Sequence, residues 1–131
     1  MSQPLYLPFY QKDAAANEAN TRYLVLNDDY TLEGVQLINN GAIAKHASNH
    51  LSISIAGNDG ATAAFTLTTD SGESDSQAIG DGAAVNFTDE KTGLANYVAG
   101  TKIKLAITKG ASGESLDCAI VLKLMPARSY A

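Results

Sequence analysis

Two stretches in the second half of the chain decide the fold: Ile103-Lys-Leu-Ala-Ile-Thr108 and Cys118-Ala-Ile-Val-Leu-Lys-Leu124. In both, large apolar side chains or the cysteine occupy every second position. A period of two residues is that of a β-strand, because successive side chains of a strand point to opposite faces of the sheet. Each stretch therefore predicts a strand with one buried face.

Similar runs continue along the chain from position 21. Clusters of Gly, Asn, Asp and Ser separate them roughly every ten residues, a spacing typical of a sandwich or barrel. Helical periodicity extends over no useful length, although Thr92 to Tyr97 could form one turn. Gly34 lies inside a run and indicates a bulge or a close approach of the backbone. The eight predicted strands are Arg22–Leu26, Thr31–Ile38, Leu51–Ile55, Ala63–Thr69, Ala78–Ile79, Ala84–Thr88, Ile103–Thr108 and Cys118–Leu124.

These strands predict an all-β fold, an eight-stranded antiparallel β-sandwich of jelly-roll type. One buried face per strand is what two packed antiparallel sheets require, and eight strands is the number that a jelly roll uses. A seven-stranded immunoglobulin-type sandwich is the alternative. Against it, the chain has no Trp and a single Cys, so the usual Cys and Trp core hallmarks are missing.

The start of the chain has a different composition. Pro4 and Pro8 alternate with large apolar residues, which predicts an extended N-terminal arm, and Ala-rich positions 14–16 could form a helical turn after Asp13. We expect an arm at 1–20, a sandwich domain at 21–125 and a C-terminal tail at 126–131.

Three aromatic residues of this arm are candidate partner-interface residues: Tyr6, Phe9 and Tyr10. Such residues contribute large buried areas at interfaces. They either pack on their own domain or anchor a neighbouring subunit, and the sequence leaves both open. If they anchor a neighbour, deletion of residues 1–12 should leave the sandwich folded and abolish assembly.

Charge and hydropathy exclude several classes of partner. Nine basic and fourteen acidic residues give a net charge of −5, and the basic residues are scattered, so we expect no nucleic-acid partner. The start of the chain lacks a signal-peptide pattern, and no apolar run is long enough to span a membrane. We expect a protein made in the cytoplasm, with no membrane partner.

Possible chemical sites each have a simpler interpretation. His46 and His50 are spaced like zinc ligands on a helix, but no helix or third ligand is indicated. The acidic loops near Asp59, Asp70 to Asp75 and Asp81 lack the calcium-loop pattern, although a weak calcium site stays open. Cys118 lies in an apolar run and is interpreted as a small buried hydrophobic residue. We therefore predict no catalytic, cofactor-binding or metal-binding residues, and a protein that is not an enzyme.

Two longer stretches carry a family resemblance: Gly34-Val-Gln-Leu-Ile-Asn-Asn-Gly-Ala-Ile-Ala-Lys-His-Ala-Ser-Asn-His-Leu-Ser-Ile-Ser-Ile55 and Ala99-Gly-Thr-Lys-Ile-Lys-Leu-Ala-Ile-Thr-Lys-Gly-Ala-Ser-Gly113. Their pattern resembles that of capsid decoration, or cement, proteins of tailed bacteriophages, which have a jelly-roll core. The resemblance implies a virion structural protein on the outer capsid surface, commonly a homotrimer, that bridges and stabilises major capsid protein subunits. It implies no enzymatic residues.

The alternative function is a carbohydrate- or receptor-binding module of a phage fibre or lectin-like protein, because jelly-roll sandwiches also serve that role. Such a module needs exposed aromatic rings to stack on sugars. The candidates are Tyr23, Tyr30, Tyr97 and Tyr130, and the absence of Trp counts against them.

Overall fold

The computed structural model describes residues 3–13, 19–57, 62–91, 95–111 and 114–127. Within these ranges the chain forms β-strands and no helix, and thus no helix capable of crossing a bilayer. The strands are β1 (Leu5–Lys12), β2 (Asn20–Val25), β3 (Tyr30–Asn39), β4 (Leu51–Gly57), β5 (Phe65–Thr68), β6 (Ala84–Asn86), β7 (Thr88–Asp89), β8 (Ala95–Tyr97), β9 (Lys102–Lys109) and β10 (Asp117–Pro126).

The strands form two antiparallel five-stranded sheets, as expected for a β-sandwich. Sheet A has the order β1-β10-β3-β6, with β8 also paired to β3, and sheet B has the order β2-β9-β4-β5-β7. The immunoglobulin-type alternative does not fit this order. In that sandwich the first two strands are neighbours in one sheet, whereas β1 and β2 belong to different sheets.

The alternation read from the sequence is present in the core. In β9, Ile103, Leu105 and Ile107 are buried, and in β10 every second residue from Cys118 to Leu124 is buried. The two sheets pack these side chains against one another and against the inward residues of β3, β4 and β5. Burial of a large aliphatic side chain contributes about 1.5–3 kcal/mol, so this interior supplies most of the stabilising free energy.

The prediction of eight strands is wrong in number, since the described residues contain ten. Ala84–Thr88 is divided between β6, which pairs with β3, and β7, which pairs with β5. The chain changes sheets at Phe87, whose buried ring holds the crossing in the core. Ala78–Ile79 forms only an isolated bridge, Ile43 with Ile79. Of the possible helical turn at Thr92 to Tyr97, residues 95–97 form strand β8, and residues 92–94 lie outside the described residues.

The first strand also differs from its prediction. Residues from Leu5 are extended, as expected, but they form an edge strand of sheet A that pairs with β10 from Leu5↔Leu124 to Lys12↔Asp117. Phe9 lies in the core and is 8% exposed. Deletion of residues 1–12 would therefore remove an edge strand whose Phe9 and Gln11 side chains are buried in the sandwich. Alanines 14 to 16, the turn at 58–60 and most of the 126–131 tail lie outside the described residues.

A buried ion pair joins the two sheets at one end of the sandwich. The Asp13 carboxylate pairs with the Lys109 ammonium group, and the two side chains are 0% and 1% exposed, respectively. Asp13 also accepts hydrogen bonds from the Gln11 amide (2.7 Å), the Asn20 amide (3.3 Å) and the Leu116 backbone N–H (3.0 Å). Gln11 and Leu116 belong to the sheet A side and Asn20 and Lys109 to the sheet B side, so one carboxylate ties both sheets together.

Replacement of this carboxylate should destabilise the protein strongly. Asp13→Asn leaves the Lys109 ammonium buried without a counter-charge, and removal of one partner from a buried pair costs about 3–5 kcal/mol. The measurement is urea unfolding of the variant and of Asp89→Asn, which breaks an exposed Asp–Lys pair. The control should change little. Equal, small effects of both substitutions would contradict a structural role for Asp13.

The same pair should make stability depend on acid. Burial raises the pKa of Asp13, but hydrogen bonds from Lys109, Gln11 and Leu116 and the Lys109 charge outweigh it, so the folded pKa lies below the ordinary 3.8. A lowered folded pKa stabilises the protein above the unfolded value, and that contribution is lost as the pH falls through the folded pKa. Urea unfolding at a series of pH values below 3.8 should show a smaller acid loss in Asp13→Asn than in the natural protein.

Candidate functional site

The outer face of sheet A carries two of the three aromatic residues singled out from the sequence. Along β1 the side chains of Phe9 and Gln11 point into the sandwich, whereas Tyr6 and Tyr10 point out and are 58% and 74% exposed. Strand alternation is the cause, because even-numbered positions of β1 share the outer face. Phe9 therefore packs on its own domain, and only Tyr6 and Tyr10 are available to a partner.

Tyr10 is part of an uncharged row that crosses four strands. The cross-strand pairs Tyr10↔Ala119, Ala119↔Ile38 and Ile38↔Ala84 place these side chains next to one another. Ile38 is 42% exposed, which is high for an isoleucine on a regular strand. We call this row, with the neighbouring Pro8, the Tyr10 patch: Pro8, Tyr10, Ile38, Ala84 and Ala119.

Charged residues lie at the borders of the Tyr10 patch and not within it. Lys12 and Asp117 face each other in the next row toward one end of the strands. Toward the other end, Lys123 and Glu33 form an exposed ion pair of 3.6 Å. An apolar centre with aromatic residues and a polar rim is the composition of protein–protein interfaces.

A groove opens in the same outer face of sheet A, toward the end of the strands that carries Tyr6. On the edge of β3 that faces away from β10, β6 pairs with residues 36–38 and β8 pairs with residues 30–32. Between them, no described strand pairs with residues 33–35 on this edge. A single hydrogen bond, from Phe87 N–H to Val35 O (2.9 Å), joins the chain to this part of β3. The resulting cavity, the sheet A groove, has a volume of about 460 Å³. Its lining residues are Tyr6, Glu33, Gly34, Val35, Gln36, Phe65, Asn86, Phe87, Asp89, Val121 and Lys123.

Gly34 keeps the groove open. The register between β3 and β10 shifts here, with Lys123 opposite Gly34 and Leu124 opposite Leu32, so Glu33 is the extra residue of a β-bulge. A Cβ atom placed on Gly34 would have no neighbouring atom within 4 Å. The bulge predicted from Gly34 is confirmed, and the empty space above it forms part of the groove.

The polar groups of the groove are held in place by one another. The Gln36 amide donates a hydrogen bond to Asn86 Oδ1 (2.8 Å), and Gln77 donates to the Asn86 backbone carbonyl (2.9 Å). Lys91 lies 4.5 Å from the centre of the Phe65 ring and pairs with Asp89 (2.5 Å). Hydrogen bonding to Lys91, which outweighs desolvation, lowers the pKa of the Asp89 carboxyl.

The residues considered for metal binding have structural roles. His46 Nδ1 accepts hydrogen bonds from the backbone N–H groups of Ser48 (2.9 Å) and Asn49 (2.8 Å), which makes it a turn residue. His50 Nε2 lies 3.6 Å from Asp70. In the described part of the chain, no three His, Cys, Asp or Glu side chains are close enough to hold a metal ion.

The three described tyrosines among the sugar-stacking candidates do not form one exposed surface, although Tyr30 and Tyr97 are cross-strand partners. Tyr23 is 52% exposed on edge strand β2. Tyr30 and Tyr97 pack against the core, and the Tyr97 ring leaves no room for a Cβ atom on Gly57, with 2.1 Å to the nearest ring carbon. Tyr130 lies outside the described residues. Sequence reasoning singled out Tyr6 and Gly34 separately but missed that they line one groove, because only their pairing with Lys123 of β10 brings them together.

Comparisons with solved structures find distant structural likenesses, of which two are to viral structures. No protein-family model and no curated protein matches the chain. A structure of infectious bursal disease virus Gx strain matches with 13% identity and a TM-score of 0.38, over 99% of this chain and 34% of that chain. Desmodium yellow mottle tymovirus matches with 9% identity and a TM-score of 0.32, over 100% and 91%, respectively. This chain thus spans about a third of the first, and at such TM-scores neither likeness supports a function.

Cys118 should be chemically inert in the folded protein. Burial, with the nearby charges of Asp13 and Asp117, raises the pKa of its thiol from 9.0 to about 12, as expected from its interpretation as a small buried hydrophobic residue. Since the thiolate is the reactive form, a disulfide reagent at mildly alkaline pH should react about a thousandfold more slowly with folded than with urea-unfolded protein. Equal rates in the two states would contradict this burial.

Proposed function

We propose that this chain is a non-enzymatic structural protein of a virus particle, and that the Tyr10 patch is its docking surface. The observation that carries the proposal is the Tyr10 patch itself, an uncharged surface of aromatic and aliphatic side chains on four paired strands. Side chains on a paired sheet lose little further freedom on binding, so their burial is converted efficiently into affinity.

We propose further that the sandwich is a jelly roll of eight strand positions. If β6, β7 and β8 count as one interrupted strand, the chain pairs as a single long hairpin: first strand with last, second with seventh, third with sixth and fourth with fifth. Sheet A then contains four positions, and sheet B contains four together with β7, the part of the interrupted strand that pairs with β5. Jelly rolls of this kind occur in viral capsid and lectin domains. The strand order supports the jelly-roll core that the sequence resemblance implies.

The specific role that we propose is decoration of a tailed-phage capsid. The chain would be made in the host cytoplasm, form a homotrimer and bridge major capsid protein subunits from the outer surface of the virion. A net charge of −5 opposes binding to nucleic acid or to anionic membranes. Many copies with modest contacts can stabilise a shell by multivalency.

The proposed interface differs from the one predicted from the sequence, because Phe9 is buried and Ile38 is exposed. Phe9 supports the patch from inside the core, while Tyr10 and Ile38 present its two most prominent side chains. A carbohydrate- or receptor-binding module remains the second candidate. Of its proposed tyrosines, Tyr23 is the most exposed in the described chain, and it lies between Arg22 and Leu24 on an edge strand.

A charge placed in the patch should prevent assembly without unfolding the domain. Ile38→Asp adds an unpaired carboxylate at the centre of the proposed contact, where burial of a charge costs several kcal/mol. The variant should be monomeric by light scattering and should no longer sediment with decoration-free phage heads. Tyr10→Ala should weaken both interactions, by about 2 kcal/mol or more if Tyr10 is a hot spot.

The matched control is Val25→Asp, which places the same charge at an exposed apolar position of sheet B. It should retain the assembly of the natural protein, and circular dichroism should show that both aspartate variants are folded. A natural protein that is monomeric and does not sediment with heads would reject the decoration role, and an assembled Ile38→Asp variant would reject the patch.

A further inference from the structure

We propose that the sheet A groove binds a neutral saccharide, one or two pyranose units in size. This site goes beyond the structural role above, because it uses other residues and a different class of ligand. It also differs from the tyrosine surface considered from the sequence, since its aromatic residue is Tyr6.

The first argument is the shape and rigidity of the groove. Its volume of about 460 Å³ is within the usual range of small-molecule sites. The opening results from the backbone, since the bulge at Gly34 removes a side chain from the floor and the crossing at Phe87 separates β6 from β8. A cavity set by backbone geometry is present before any ligand arrives, which lowers the entropic cost of binding.

The second argument is the hydrogen-bonding capacity of the amide pair. Gln36 Nε2 donates to Asn86 Oδ1, and within the described chain Gln36 Oε1 and Asn86 Nδ2 make no further hydrogen bond. A free acceptor and a free donor thus lie on adjoining, mutually fixed side chains. Neighbouring hydroxyl groups of a pyranose each donate and accept, so they complement such a pair.

The third argument is the apolar surface beside the amides. The Tyr6 ring borders the groove and is largely exposed, while Val35 and Phe87 form part of the lining from the core side. One face of a pyranose consists of C–H groups, and an aromatic ring with a polar tip can cover that face while its hydroxyl stays in water. Amides and an aromatic ring on one cavity provide both kinds of contact.

The fourth argument is charge. The lining contains the carboxylates of Glu33 and Asp89, and each has a lysine partner: Lys123 at 3.6 Å and Lys91 at 2.5 Å. These four side chains carry no net charge, and an ionic ligand would have to compete with pairs that already exist. The balance favours a neutral sugar over an acidic sugar, a phosphate or an amine.

The groove adjoins the Tyr10 patch, since Gln36 is two residues from Ile38 on β3 and Val121 of the groove pairs with Pro8 of the patch. Tyr6 and Tyr10 are four residues apart on one strand, which corresponds to about 13 Å. A subunit docked at the Tyr10 end of the sheet would leave Tyr6 exposed but would lie next to the Gln36–Asn86 pair.

The test is an NMR titration of the full-length protein with glucose, galactose, mannose and N-acetylglucosamine as separate probes. At least one sugar should shift the amide signals of Gly34, Gln36 and Asn86 in a saturable way. Tyr6→Ala should raise the Kd about tenfold through loss of the stacking surface. Tyr23→Ala, which removes a comparably exposed tyrosine from sheet B, should leave the Kd unchanged.

A second variant tests the cavity itself. Gly34→Leu fills space that contains no neighbouring atoms, so the domain should fold and sugar binding should be lost. Absence of saturable shifts with all four sugars in the natural protein would overturn the proposal. Shifts that persist in both Tyr6→Ala and Gly34→Leu would also overturn it, because they would locate binding elsewhere. Neither result would bear on assembly through the Tyr10 patch, which light scattering measures separately.

Discussion

The packing of β10 between β1 and β3 is the constraint on which the rest of the structure depends. β10 pairs along its length with the first strand on one side and with β3 on the other, and its inward residues Cys118, Ile120, Leu122 and Leu124 lie in the core. The two ends of the described chain are thereby held together in one sheet. All the other strands of the sandwich lie in sequence between β1 and β10, within the segment whose ends this pairing brings together.

A second constraint is the change of sheet at Phe87. A single strand running the full length of β3 would cover the edge of sheet A, but the chain leaves sheet A after Asn86, contributes Thr88 and Asp89 to sheet B and returns at Ala95. As a result, the pairing along this edge of β3 is interrupted between β6 and β8, beside the bulge at Glu33. This gap is also the origin of the groove, so one topological irregularity accounts for this concavity of sheet A.

The proposed functions divide the outer face of sheet A between its two ends. At one end, cross-strand neighbours without charge form a flat patch suited to another protein surface. At the other end, Gly34 and the gap create a concave site with paired charges and amides, suited to a small neutral ligand. The Asp13–Lys109 pair supports both indirectly, because it fastens the end of β1, which carries Tyr6 and Tyr10, to sheet B.

Period-two alternation in the sequence determined the all-β class and the inward faces of β4, β9 and β10, because a side chain's direction in a strand is a local property. The bulge was indicated by Gly34, a glycine inside a strand run. Tertiary structure alone decided that Leu5–Lys12 is a strand of sheet A, that β8 forms, and that the Gln36 amide donates a hydrogen bond to Asn86. The spacing of Pro4 and Pro8 predicts an extended segment, and only the pairing with β10 shows that this segment is a strand of the sheet. Asp13 and Lys109 are 96 positions apart, and no local pattern records a contact that only the closed sandwich creates.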